Sequence, residues 1–174
     1  MFKTLVILCS SFLISCQTIA NAETPLKTVD HVDIDRYMGE WFEIASFPQW
    51  FSRNCFNTTA QYTLRDDGRV DVLNECHKGS PTGDISRAKG IARVVNKETN
   101  AELKVSFFWP FSGDYWIIDL GENYEFAVVS EPHRSTLWIL SRSPEIPRET
   151  LDRILDRLKN VHKFDLSKLQ YTRS

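Results

Sequence analysis

Apolar and polar residues alternate with a period of two over one short stretch after another of this chain. Across residues 56–65, Phe56, Thr58, Ala60, Tyr62 and Leu64 fall on one side and Asn57, Thr59, Gln61, Thr63 and Arg65 on the other, the pattern of a strand with an inner and an outer face. Residues 70–76 set Val70, Val72 and Asn74 against Asp71, Leu73 and Glu75. Residues 87–94 set Ala88, Gly90, Ala92 and Val94 against mostly Arg and Lys. Those small side chains leave room on the inner side. Residues 40–47, 103–108, 115–120, 124–130 and 136–142, rich in Val, Ile, Phe, Tyr and Trp and punctuated by Gly, Pro and Asn turns, complete eight predicted strands. The alternation excludes a buried parallel sheet, whose strands read as continuous apolar runs. It predicts an all-β fold: an eight-stranded up-and-down antiparallel barrel wide enough for one small ligand.

Helical spacing occurs at two places. Residues 33–38 predict one turn before Gly39, closing one end of the barrel. Beyond Pro144, Pro147 suits a first helical turn, and Leu151, Ile154, Leu155 and Leu158 recur at i, i+3, i+4 and i+7. That spacing predicts a C-terminal α-helix lying on the barrel wall. Residues 164–171, with Phe164, Leu166 and Leu169 as apolar points, read as a final short strand. No internal repeat or low-complexity linker divides residues 23–174, which are expected to form a single domain.

The 174-residue chain has a formal charge of −2 with acids and bases interspersed, so no basic stripe for nucleic acid is present. Residues 1–22 have a basic start and an apolar run too short to span a bilayer, the pattern of an export signal. Two cleavage readings compete. Leu13-Ile14-Ser15-Cys16 resembles a bacterial lipobox, which would leave Cys16 as a lipidated N-terminus. Ala20-Asn21-Ala22 is an A-x-A site, which would release a free periplasmic protein. Cys55 and Cys76 are the two cysteines beyond the leader, and in an exported protein such a pair predicts a disulfide. They flank the hairpin turn Asp66-Asp67-Gly68, so they straddle neighbouring strands.

A Trp on the first strand and an Arg after the last, Trp41 and Arg142, suit a guanidinium covering an indole face at one end of a closed sheet. Three segments occur in order: residues 37–45 with Gly39-Glu40-Trp41, residues 103–108 followed by Pro110-Phe111 and Gly113, and residues 137–144. With a helix after the last, the chain resembles the bacterial lipocalins of the outer-membrane lipoprotein (Blc) type, akin to apolipoprotein D. The resemblance implies a calyx closed where Trp41 meets Arg142 and open at the other end. It also implies binding of fatty acids or lysophospholipids for envelope lipid storage or transport, at the outer membrane or in the periplasm. Some relatives share the cysteine pair and others lack it.

Alternation from Trp41 puts Glu43, Ala45 and Phe47 on the inner face. A buried carboxylate needs partners. Glu43 is therefore expected to bond a Tyr or Arg inside the barrel, or else to meet a polar ligand head. The large side chains assigned to the ligand are Phe47, Tyr62, Phe107, Tyr115, Phe126 and Trp138, with the Tyr62 and Tyr115 phenols able to hydrogen-bond a carboxylate or phosphate. Trp50 and Phe51, in the loop after the first strand, and Trp109-Pro110-Phe111 read as packing, as a lid or as a membrane-touching tip. No nucleophile, metal or phosphate-loop motif occurs, so no metal, cofactor or enzymatic activity is expected. The function read from the chain is carriage of one hydrophobic ligand by a monomer or weak homodimer. The alternatives are an enzyme on an oxidised lipid or pigment, using Glu43 or a Tyr, and an anchored interaction protein with a filled barrel.

Overall fold

The computed structural model describes residues 24–174; the expected export signal, Cys16 and both candidate cleavage sites lie outside the described residues. A short helix, α1 (Ile34–Tyr37), precedes eight consecutive antiparallel strands: β1 (Gly39–Ser46), β2 (Cys55–Leu64), β3 (Val70–Lys78), β4 (Ile85–Val94), β5 (Glu102–Phe108), β6 (Phe111–Leu120), β7 (Phe126–Ser130) and β8 (Leu137–Ser141). Helix α2 (Arg148–Asn160) and a two-residue strand, β9 (Gln170–Tyr171), follow. Each strand pairs with the next, and β1 pairs with both β2 and β8, so the sheet closes.

Closure uses both edges of β1, which carries one irregularity. Its first half pairs with β2, from Gly39 with Tyr62 to Phe42 with Thr59. Its second half pairs with β8, and the register slips between Glu43 and Ala45. A bulge of this kind reverses which face the following side chains occupy. Trp41 therefore belongs to the core inside the barrel, whereas Ala45 and Phe47 belong to a second core beneath α2. The expectation that Ala45 and Phe47 share the inner face is thereby corrected.

That second core holds Ile154 and Leu158 of α2 against Val128, Leu137 and Ile139 of the barrel wall. Arg157 on the helix donates to the Asp119 carboxylate at 2.6 Å, fastening α2 to β6. The strand expected over 164–171 is mostly something else. Phe164 is buried under α2, and Asp165 caps a 3-10 turn (Leu166–Lys168) by accepting from the Ser167 amide, which leaves only Gln170 and Tyr171 to pair with Ser46 and Ala45.

The closed end is built around Trp41, which is fully buried. Its indole nitrogen donates to the Tyr37 carbonyl at 2.9 Å, and the Arg142 guanidinium lies 3.8 Å from its ring centroid. Arg142 also donates to the carbonyls of Glu40 at 2.8 Å, Arg36 at 2.7 Å and Tyr124 at 3.4 Å. One side chain thus ties β1, α1 and the β6–β7 turn together while covering the floor. Gly39 has φ +97°, and a Cβ there would stand 3.2 Å from an Arg142 nitrogen, so both backbone and space call for glycine.

Arg142→Lys keeps the charge but loses the planar fork. It is expected to lower folding stability by about 1–2 kcal/mol, read as a reduced urea midpoint with an unchanged slope.

Candidate functional site

Inside the barrel lies a cavity of about 700 Å³, within the roughly 300–1,000 Å³ range of small-molecule sites. The small residues of β4 make this space. Ala88 and Ala92 line it, and the Phe107 ring lies against Gly90, where an added Cβ would approach the ring to 2.9 Å. Val70, Val72, Leu103, Val105, Ile117 and Leu140 supply much of the remaining apolar wall.

Polar groups on the wall are few. At the floor, the Tyr115 hydroxyl lies 2.8 Å from that of Tyr37 and 3.0 Å from that of Tyr62. Three hydroxyl protons serve two hydrogen bonds, so the cluster retains one donor for a ligand or water. Burial holds Tyr37 and Tyr115 well above the ordinary phenol pKa and pushes Tyr62 up to about 12, so all three are neutral donors at neutral pH.

Higher on the wall, one Glu43 oxygen accepts from Ser46 Oγ at 3.0 Å and Thr172 Oγ1 at 2.8 Å. Its partners are therefore two hydroxyls, one from the C-terminal tail, and not the expected Tyr or Arg. Glu43 lines the cavity and also borders an outer groove between β1, β2 and residues 171–174. The tail fills the seam there: the Thr172 amide donates to the Ile44 carbonyl, the Asn57 amide donates to the Arg173 carbonyl, each at 2.9 Å, and the Arg173 guanidinium covers the Phe56 ring at 4.4 Å. Burial raises the Glu43 carboxyl above the usual glutamate value, against the lowering pull of the two hydroxyls.

Five of the seven residues assigned to the ligand line the cavity: Glu43, Tyr62, Phe107, Tyr115 and Trp138. Phe47 and Phe126 do not. Phe47 is turned outward by the β1 bulge, and Phe126 packs with Val128 under α2 while Ala127 and Val129 face inward. Both faces of β7 are buried, so polarity carries no sign of which face is inner. Asn74, which sits in the inward series with Val70 and Val72, is a site residue beyond those expected from the sequence. It lines the cavity, and its buried Oδ1 has no hydrogen-bond partner among the described residues. The signal available was a single amide among inward apolar positions.

Near the mouth, Cys55 and Cys76 form a disulfide between β2 and β3 with their Cα atoms 5.4 Å apart. Trp50 and Phe51 touch edge to face and line the cavity entrance, yet they are 78% and 53% exposed. They are therefore not packed beneath their loop. Among the described residues no helix is long and apolar enough to cross a membrane.

The family model for a lipocalin-like domain matches residues 32–174. The outer membrane lipoprotein Blc of Vibrio cholerae is 38% identical over 167 residues, 95% of each chain. Apolipoprotein D of Mus musculus is 33% identical over 152 residues, covering 82% of this chain and 77% of the relative. Among solved structures, insecticyanin from the tobacco hornworm Manduca sexta superposes with a TM-score of 0.69 at 20% identity, covering 86% of this chain and 84% of that one, a likeness of fold.

Glu43→Gln keeps the oxygen that accepts from Ser46 and Thr172 and removes the titration. A carboxyl whose folded pKa is raised stabilises the fold below its unfolded value and loses that contribution as pH rises through the folded value. The Gln variant is therefore expected to gain stability relative to the parent as pH rises above the ordinary glutamate value of about 4, checked by urea unfolding at a series of pH values.

Proposed function

The chain belongs to the lipocalin family, and on that premise we propose that it carries one fatty acid or lysophospholipid in its calyx for storage or transport in the bacterial cell envelope. The observation that carries this reading is the cavity itself, about 700 Å³ with a wall dominated by apolar side chains. Burying an acyl chain of about sixteen carbons at roughly 0.8 kcal/mol per methylene supplies about 12 kcal/mol before ordering costs. Strong binding therefore requires few polar contacts.

Phe107 and Trp138 are assigned to the acyl chain. Tyr62 and Tyr115 at the floor, with Glu43 and Asn74 on the wall, are assigned to whatever polar group enters with it. The name borne by the bacterial relatives, outer membrane lipoprotein, supports placement at the outer membrane through a lipidated Cys16. Carriage needs only one calyx, and the protein is read as a monomer or weak homodimer.

Native mass spectrometry of protein purified from envelopes, followed by lipid extraction, is expected to find a bound fatty acid or lysophospholipid. An empty barrel that also refuses a fluorescent fatty acid overturns the reading. Ala88→Trp, which fills the cavity from β4, is expected to weaken uptake of that probe by roughly a hundredfold, equivalent to about 2.7 kcal/mol, with the far-ultraviolet circular dichroism unchanged.

A further inference from the structure

We propose that the mouth of the barrel docks on a lipid bilayer surface through two aromatic loop tips, so that an acyl chain passes between membrane and calyx without crossing water. The proposal rests on the lipid-carrier reading for its purpose, and on separate observations for its geometry. Trp109 is 91% exposed, Phe108 79%, Trp50 78% and Phe111 77%. A soluble protein does not leave large aromatic side chains so bare in a group unless something covers them.

The two tips lie on opposite sides of the opening. One is the β1–β2 loop and the other the β5–β6 turn, four strands apart in the eight-stranded ring. Both are fastened. Lys78 Nζ donates to the carbonyls of Phe51 and Arg53, each at 3.3 Å, and Ser106 Oγ donates to the Phe111 carbonyl at 2.6 Å. The bare rings are therefore held outward by the structure around them. Phe51, Phe108 and Phe111 also form part of the cavity wall, making the exposed rim continuous with the ligand space.

The start of the described chain points to a bilayer as the occupant. Arg134, in the β7–β8 loop at the mouth end, donates to the Thr24 carbonyl at 2.7 Å. The N-terminal segment thus begins beside the opening and not beside the Trp41 floor. If Cys16 carries the acyl anchor, the eight residue steps from it to Thr24 span no more than about 29 Å when extended. An anchor so placed holds the mouth, and not the floor, near the membrane. Trp rings, with a polar N–H edge and an apolar face, are suited to the headgroup boundary, and the Phe rings beside them to the apolar region beneath it.

The test uses mature protein bearing Cys16→Ser, so that no acyl anchor contributes, with vesicles of phosphatidylethanolamine and phosphatidylglycerol brominated near the glycerol end of the acyl chains. Quenching of tryptophan emission is expected. Trp109 borders no part of the cavity, so Trp109→Gln is expected to weaken vesicle binding roughly tenfold, about 1.4 kcal/mol, while uptake of a free fluorescent fatty acid is unchanged; Trp109→Phe should retain most of the vesicle binding. Absence of quenching overturns the proposal. So does a Trp109→Gln variant that binds vesicles like the parent, or one that only loses a dimer in sedimentation, which would make a second copy the occupant. Quenching is read whether or not the free probe binds, so failure of docking and failure of the carrier reading are seen separately.

Discussion

A closed barrel allows no free edge, so its first strand must hydrogen-bond on both sides, and one straight strand does not meet both neighbours along its whole length here. Its lower half, to Phe42, pairs with β2 and its upper half, from Phe42, pairs with β8, and a bulge between Glu43 and Ala45 within the β8 pairing turns the following side chains over. Much of the molecule follows from that turn. Trp41 stays inside, Ala45 and Phe47 are redirected under α2, and the gap left between the upper parts of β1 and β2 is filled by the C-terminal tail, with Thr172 bonded to Glu43 and residue 173 bridged to Phe56.

The two ends of the barrel are built on opposite principles. At the floor, the buried Trp41 is covered by Arg142, which donates to three backbone carbonyls, and three tyrosine hydroxyls share two hydrogen bonds beside them. At the mouth, aromatic rings stand in water, and Lys78 and Ser106 hold the loops that carry them. A fixed floor sets the depth of the cavity. The bare rim makes its opening compatible with an apolar environment, and the apolar wall between them can accept a chain without specific polar recognition.

The sheet order and the position of α2 were legible because their signals are local and repeated. Period-two alternation over 70–76 survives in β3, and that over 56–65 survives in β2 only beyond a bulge between Phe56 and Thr59, which leaves Phe56 under Arg173 while Ala60 and Tyr62 line the cavity; the i, i+3, i+4, i+7 spacing from Leu151 to Leu158 survives as a helix with Ile154 and Leu158 buried. Reading went wrong where a local pattern met a non-local constraint. Phe47 follows a bulge that no residue at Glu43 or Ala45 announces. Phe126 lies on a strand buried on both faces, so its neighbours give no polar contrast. The stretch 164–171 holds apolar points at strand-like spacing, yet the Asp165 side chain bonds the Ser167 amide and makes a turn of it.

By itself the sequence determined that this is a calyx closed by Trp41 and Arg142, stapled by Cys55 and Cys76, and walled on one side by a helix, because each of these follows from residue types at spacings that few folds share. The tertiary structure alone decided which aromatic residues meet the cavity, that Glu43 answers to Ser46 and Thr172, that Asn74 presents to the ligand space an oxygen unpaired among the described residues, and that Trp50 and Trp109 stand exposed around the mouth. The physical reason is the same in each case. Strand parity, hydrogen-bond partners and exposure are set by contacts between segments far apart in the chain, whose register is fixed only once the barrel closes.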